Sequence, residues 1–298
     1  MEKRMIAGLG ELLWDCFGHG RSPGGAPANV AYHAGQLGMT GRVVSRVGLD
    51  PDGDALLIEL TRRGLSTQAI QRDPDHATGR VTVDTSRADK PVYTIHPDAA
   101  WDHIEWNDAL SAGLDGAAAI CFGTLAQRSP ASRATIQRVL DTYTAALRVY
   151  DVNLRPPWYT RDVIEASLER CDVVKLNHEE APVVAELVGL DPAGEPDACA
   201  RALRQWFDLR LVCVTRGERG CLAVSAEQTA EARGVKVDVA DTVGAGDAFT
   251  AALVCGLLQQ WPLEDVLHFA NDVGGLVAGR RGAMPELREE LKGLGVRD

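Results

Sequence analysis

The stretch Asp241-Thr-Val-Gly-Ala-Gly-Asp247 sets two glycines and two carboxylates where an alternating segment gives way to a long run of small apolar residues. A glycine turn that opens a helix presents unpaired backbone N–H groups and the positive end of the helix dipole, and both attract an anion. Gly244 and Gly246 let the chain approach that anion with no Cβ in the way, and Ala245 between them adds little bulk. Such a cradle suits charge spread over a phosphoryl group in transfer. Asp247 then needs a separate role. Transfer to an alcohol requires a group to take the hydroxyl proton, and a carboxylate in the first helical turn stands beside the cradle for that purpose. A plain helix cap would also account for an aspartate here.

Three further stretches offer matching chemistry. In "VVKLNHEE", Asn177 and Glu180 lie three apart after an apolar strand and would share one face of a first helical turn. An amide and a carboxylate there can organise a hydrated Mg²⁺ through its waters, and the same pair reads equally as an ordinary helix cap. In "VCVTRGERGC", Thr215, Gly217 and Gly220 make a strand-end loop suited to nucleotide phosphates or to a simple tight turn. In "DVNLRPPWY", Arg155 at a strand end can clamp a phosphate or stay solvated.

Several common signatures are missing. Phe249 stands where a dinucleotide fingerprint needs its third glycine, which argues against a nicotinamide-dependent oxidoreductase. The chain has no Gly-Lys-Ser/Thr loop, no H-E-x-x-H pair and no G-x-S-x-G elbow.

The elements that must position these residues alternate. Residues 4–10 and 41–48 read as strands, with a helix between them that has Pro27 near its start and Gly38 after its end. Residues 50–64 read as a helix closed by Gly64. From about 117 the runs AAAICF, RVYDVN, VVKLN and LVCVT are each followed by a helical stretch, the pattern of a parallel sheet covered on both faces. Residues 79–95 alternate, break at a polar turn and resume, which predicts a hairpin outside that sheet. "GCLAVS" and "VKVDVA" (235–240) read as a short antiparallel addition. The segment 263–295 reads as helical, interrupted by Gly274, Gly275, Gly279 and Gly282. These readings make one α/β unit over 1–298.

The chain is 45% hydrophobic with a net charge of −11, which disfavours broad binding to nucleic acid or to an anionic membrane surface. Seven cysteines without a CxxC pair read as buried thiols in a cytoplasmic protein.

Taken together, the motifs resemble the ribokinase-like (PfkB) carbohydrate kinases. "DTVGAGDAF" (241–249) is similar to that family's C-terminal signature and "GGAPANVAYHAGQLG" (24–38) to its N-terminal one, with "NHEE" and "VTRGERG" in the expected order between them. The resemblance implies a three-layer α/β/α ribokinase-like core with a mostly parallel sheet and a small β-sheet lid near 12–24 and 79–95. It implies ATP-dependent phosphorylation of a sugar hydroxymethyl group. Asp247 would be the base and the amides of Gly244, Ala245 and Gly246 the anion hole. Asn177 and Glu180 would organise Mg²⁺ and phosphate. Thr215, Gly217, Gly220 and Asn271 would line the nucleotide site. Asp15, Gly24, Gly25 and Asn29 would bind the sugar, and Asp241 would contribute to a monovalent-cation (K⁺) site.

"GELLWD", "DVNLRPPWY" and "YTIHPDAAWD" look most like bacterial fructokinase-type members, with Trp101 against the sugar's apolar face or simply packed in the lid. Ribokinase, 2-keto-3-deoxygluconate kinase and nucleoside kinase share most of these motifs, and a non-catalytic sensor on the same fold is the rival from another class. Relatives often dimerise through the lid, so a homodimer is the expected assembly.

Overall fold

The computed structural model describes residues 3–18, 20–84, 92–191 and 194–294. The N-terminal half holds β1 (Met5–Leu9), β2 (Leu13–Phe17), β3 (Gly20–Gly24), α1 (Ala26–Gln36), β4 (Thr40–Gly48), α2 (Pro51–Arg62), β5 (Ile70–Asp73), β6 (Gly79–Asp84) and β7 (Val92–Ile95). After a 3-10 turn at Ala100–His103 come α3 (Asp108–Leu114), β8 (Ala117–Gly123), α4 (Pro130–Thr142), β9 (Leu147–Asp151), α5 (Arg161–Leu168), β10 (Val173–Asn177) and α6 (Glu180–Leu187). The chain ends with α7 (Pro196–Trp206), β11 (Leu211–Thr215), β12 (Cys221–Val224), β13 (Thr229–Ala232), α8 (Ala245–Leu258), α9 (Leu263–Ala278) and α10 (Arg288–Gly293).

Among the described residues, nine strands form one sheet in the order β13-β12-β11-β10-β9-β8-β1-β4-β5. Strands β5 through β11 in that order run parallel, and β12 and β13 add an antiparallel edge. Alternate side chains explain the burial of both faces. On β8, Ala119 and Cys121 pack with α1, α8 and α9, while Ile120 and Phe122 point into the opposite layer with α4, α5 and α7. The sheet is therefore the middle of three layers, as the strand–helix rhythm predicts.

A second sheet, β3-β2-β6-β7, stands apart from the first. It contains the expected hairpin, with β6 antiparallel to β7. The polar turn at 85–91 and His19 lie outside the described residues.

Two expectations fail. "VKVDVA" is not a strand: the edge is completed earlier, by Thr229–Ala232, leaving 235–240 with no strand to pair with. That segment instead runs to α9, where the Ala240 amide meets the Ala278 carbonyl. Gly274 and Gly275 do not interrupt α9, which is continuous from Leu263 to Ala278. They thin it: a Cβ on Gly274 would sit 3.2 Å from the Ala245 carbonyl oxygen, so the glycine lets α9 lie close against the start of α8. No helix among the described residues is long and apolar enough to cross a membrane. The cysteines are unpaired thiols, all buried except Cys16.

Candidate active site

Helix α8 starts at the Gly244 N-cap, whose φ of +79° is a left-handed conformation that a side chain would strain. A Cβ there would also sit 2.6 Å from the Ala283 backbone. Within the first turn, the Ala245 amide makes a long 3.3 Å bond to the Thr242 carbonyl and the Ala248 amide closes on Gly244.

Asp247 is buried at the third helical position. Its Oδ2 accepts a 2.7 Å hydrogen bond from Nδ2 of Asn29 in α1, bringing together the two signatures that lie 218 residues apart. The Asn29 Oδ1 is buried without a partner, so it can still receive a hydroxyl proton. Burial, reinforced by the Asp151 charge, raises the Asp247 carboxyl to about 6; Asn29, Lys175 and Arg155 oppose that rise.

Two more carboxyls face it. Asp15 on β2 lies over Gly24, where a Cβ would collide with its Oδ2. Burial and the Asp247 charge push Asp15 to about 6. Glu11 is raised to about 7, chiefly by burial, and its Oε2 has no partner. Gly25, at φ +111°, lets the α1 start pass the Glu11 carbonyl, which a Cβ would overlap. Arg155 supplies positive charge to all three carboxyls from an exposed loop.

Beneath the cradle is a group that local sequence does not reveal. Lys175 inside β10 pairs with Asp151 at the end of β9 at 3.1 Å, both nearly fully buried. Thr250 Oγ1 donates to Asp151 Oδ2 at 2.7 Å, tying the pair to α8. The ammonium is 3.1 Å from where a Gly246 Cβ would stand, directly under the helix start. Asp151, Glu180 and Asp247 together keep Lys175 protonated against the cost of burial.

Asn177 and Glu180 form a reciprocal cap. Asn177 Oδ1 accepts the Glu179 and Glu180 amides, and Glu180 Oε2 accepts the Asn177 amide. The other Glu180 oxygen accepts the Leu154 amide, next to Arg155. Capping therefore fixes a carboxylate at the sheet's carboxyl edge, with lone pairs left for bound water.

Thr215 is beside Asn177 in register, and Gly217 and Gly220 make the tight turn that follows, both at positive φ. Asn271 Nδ2 is spent on the Ala232 and Arg233 carbonyls, so this amide holds the edge segment rather than projecting freely. Asp241 binds the Val243 and Gly282 amides and anchors the loop ahead of the cradle.

Trp101 is in the core, 1% exposed, and does not present a face to an open cleft. It stacks under Arg128, whose guanidinium lies 4.0 Å from its ring and 4.7 Å from that of Trp158. Asp102 accepts two hydrogen bonds from one edge of the same guanidinium, from Nε and Nη2. Trp101 thus braces Arg128. Sequence reading missed Arg128, Glu11, Lys175 and Thr250.

A sheet between two helical layers with a second small sheet, and an acid at a glycine-started helix on the sheet's carboxyl edge, define a phosphoryl-transferase architecture. The pfkB family carbohydrate kinase model matches residues 8–290, and the chain belongs to that family. It is 32% identical over 306 residues to a sugar kinase of Pyrococcus horikoshii, covering 96% of this chain and 94% of that protein. The crystal structure of an uncharacterized sugar kinase from that organism in complex with ATP superposes with a TM-score of 0.84 at 30% identity, over 96% and 97% of the two chains. Fructokinase of Escherichia coli is 28% identical over 295 residues, 91% of each protein.

Proposed function

We propose that this kinase transfers the γ-phosphoryl group of ATP to a hydroxymethyl group of fructose, with Asp247 as general base. The observation that carries the reading is the Asn29–Asp247 pair at the glycine-started end of α8. A carboxylate raised to about 6 is ionised at neutral pH, yet basic enough to accept a hydroxyl proton as the bond to phosphorus forms. The amides of residues 244–247 face the developing phosphoryl charge, and Lys175 strengthens that end of the helix from below.

Glu180 and Asn177 would hold the hydrated Mg²⁺, which neutralises phosphate charge. Their capped geometry and shared sheet-edge position fit that donor set. Asp241 beside the cradle would serve a K⁺ ion. The turn at Thr215–Gly220, with Val235 and Val237 over the bare backbone of Gly275, suits a flat adenine.

Acceptor choice follows from charge. Glu11, Asp15 and Asp247 outnumber Arg155, so a neutral polyol such as fructose is favoured over a sugar acid. Asp15 and Asn29 would bind adjacent hydroxyls. The small sheet would act as a lid that keeps water from the phosphoryl group. The names of the E. coli fructokinase and of the ATP-bound P. horikoshii sugar kinase support the same reading. A coupled ADP-release assay across fructose, ribose, 2-keto-3-deoxygluconate and nucleosides tests it. Fructose should give the highest kcat/KM, and a sugar acid or a nucleoside in that place would replace the proposed acceptor.

A further inference from the structure

The two connections between the small sheet and the large one carry a cluster that phosphoryl transfer does not use. Residues 74–78 lead from β5 into β6, and 96–99 lead from β7 to the 3-10 turn. The Ala100 amide bonds the Ala77 carbonyl and joins the two crossings. On them and at the end of that turn, His76, Asp98 and His103 bring one ligand atom each within 4.8 Å of one another.

The geometry points to a binding site for one divalent transition-metal ion, of the Zn²⁺ class, held by His76 Nε2, His103 Nε2 and Asp98 Oδ1. Three observations support it. First, His76 is oriented as a metal-binding histidine is. Its Nδ1 lies 3.0 Å from Oδ2 of Asp73, which is fully buried. Asp73 is also bound by Arg46 and by the Asp75 and His76 amides, so it is an acceptor and the ring nitrogen must donate. With Nδ1 donating, the lone pair available to an ion is on Nε2, the arrangement that outer carboxylates impose on ligating histidines.

Second, that Nε2 and His103 Nε2 both face the same Asp98 oxygen, at 3.9 and 2.9 Å. Ligand atoms around a tetrahedral zinc at its usual bond lengths are roughly 3.3 Å apart, between those two values. Third, Asp98 holds φ at +53°, a conformation uncommon for a side-chain-bearing residue, and this turns its carboxylate toward the imidazoles.

The two rings stack at 3.5 Å with a 12° angle between planes, so their lone pairs run side by side. One ring must turn to share an ion. His103 can do so, because its second torsion is broad and its Nε2 is hydrogen-bonded to Asp98 itself. His76 stays fixed by Asp73. Two imidazoles and one carboxylate prefer zinc-like ions to Mg²⁺, which takes oxygen ligands. The fourth position is open to water, since Asp98 lies at the surface. An ion here joins both crossings to the core.

The test uses chelator-stripped full-length protein without ATP or Mg²⁺, titrated with Zn²⁺ against a chromophoric chelator. Wild type should bind one equivalent that His76→Ala and His103→Ala each weaken at least tenfold, with Asp98→Ala also weaker, and millimolar Mg²⁺ should not displace it. Hydrogen exchange at 74–78 and 96–99 should slow on Zn²⁺ addition in wild type only. The histidines are partly exposed, so circular dichroism should find the variants folded. Equal Zn²⁺ stoichiometry and affinity in wild type and in the His76→Ala/His103→Ala double variant would overturn the site, as would displacement by Mg²⁺.

Discussion

Replacing Asn29 by leucine removes the 2.7 Å hydrogen bond to Asp247 while keeping similar bulk. A hydrogen bond to a charged, buried partner contributes about 1.5–3 kcal/mol, and one pKa unit corresponds to about 1.4 kcal/mol. The bond favours the ionised carboxylate, so its loss should raise the Asp247 titration from about 6 by roughly one to two units. The proposed base works only when ionised, so activity should fall as pH drops through this value. At pH 7 the ionised share should go from about nine-tenths to between a half and a tenth, and kcat/KM should fall accordingly, about two- to tenfold. The loss should be recovered above about pH 9, where the carboxylate is again ionised. Any lost sugar contact would instead lower kcat/KM equally at every pH. Glu11 and Asp15 titrate in the same range, so the midpoint belongs to the interacting group as a whole. The assay is a pH profile of kcat/KM by coupled ADP release from about pH 5 to 9.5. An acid limb with an unchanged midpoint would refute the claim that Asn29 tunes the base.

Other changes test the supports. Lys175→Met leaves Asp151 charged and buried beside Thr250, and chemical denaturation should find a loss of about 3–5 kcal/mol. Gly244→Ala forces a strained φ and a collision with the Ala283 backbone. Its kcat should drop at least tenfold, with melting a few degrees lower, and wild-type values of both would count against the close fit. Glu180→Gln keeps one acceptor oxygen for the Leu154 and Asn177 amides and loses the charge, so half-maximal activity should need several-fold more Mg²⁺; an unchanged Mg²⁺ titration would leave Glu180 as a cap alone.

The glycine-started end of α8, the proposed catalytic end, was legible because its pattern is local. The glycines of 244–246 and the aspartate at 247 are adjacent in the chain, and "GGAPAN" supplies Asn29 to the same point. The layer architecture was legible from apolar runs alternating with helical stretches. What escaped depends on contacts across the fold. Lys175 sits in an apolar strand with its partner Asp151 24 residues away, and nothing near it in sequence announces a buried ion pair. Glu11 looked like one residue of a strand-end motif, while its raised titration comes from burial and from a charge at the opposite end of the chain. Alternation misled at 235–240, because a strand needs a neighbour as well as a pattern. Glycines misled in α9, where close packing against α8 uses what helix propensity disfavours.

The most direct measurement is fructose-dependent ADP release by wild type and by Asp247→Asn at saturating ATP. The account predicts a fall in kcat of about 10²–10⁴, as expected for loss of a general base, with the KM for ATP little changed and the protein folded. Turnover by Asp247→Asn close to wild type would contradict it.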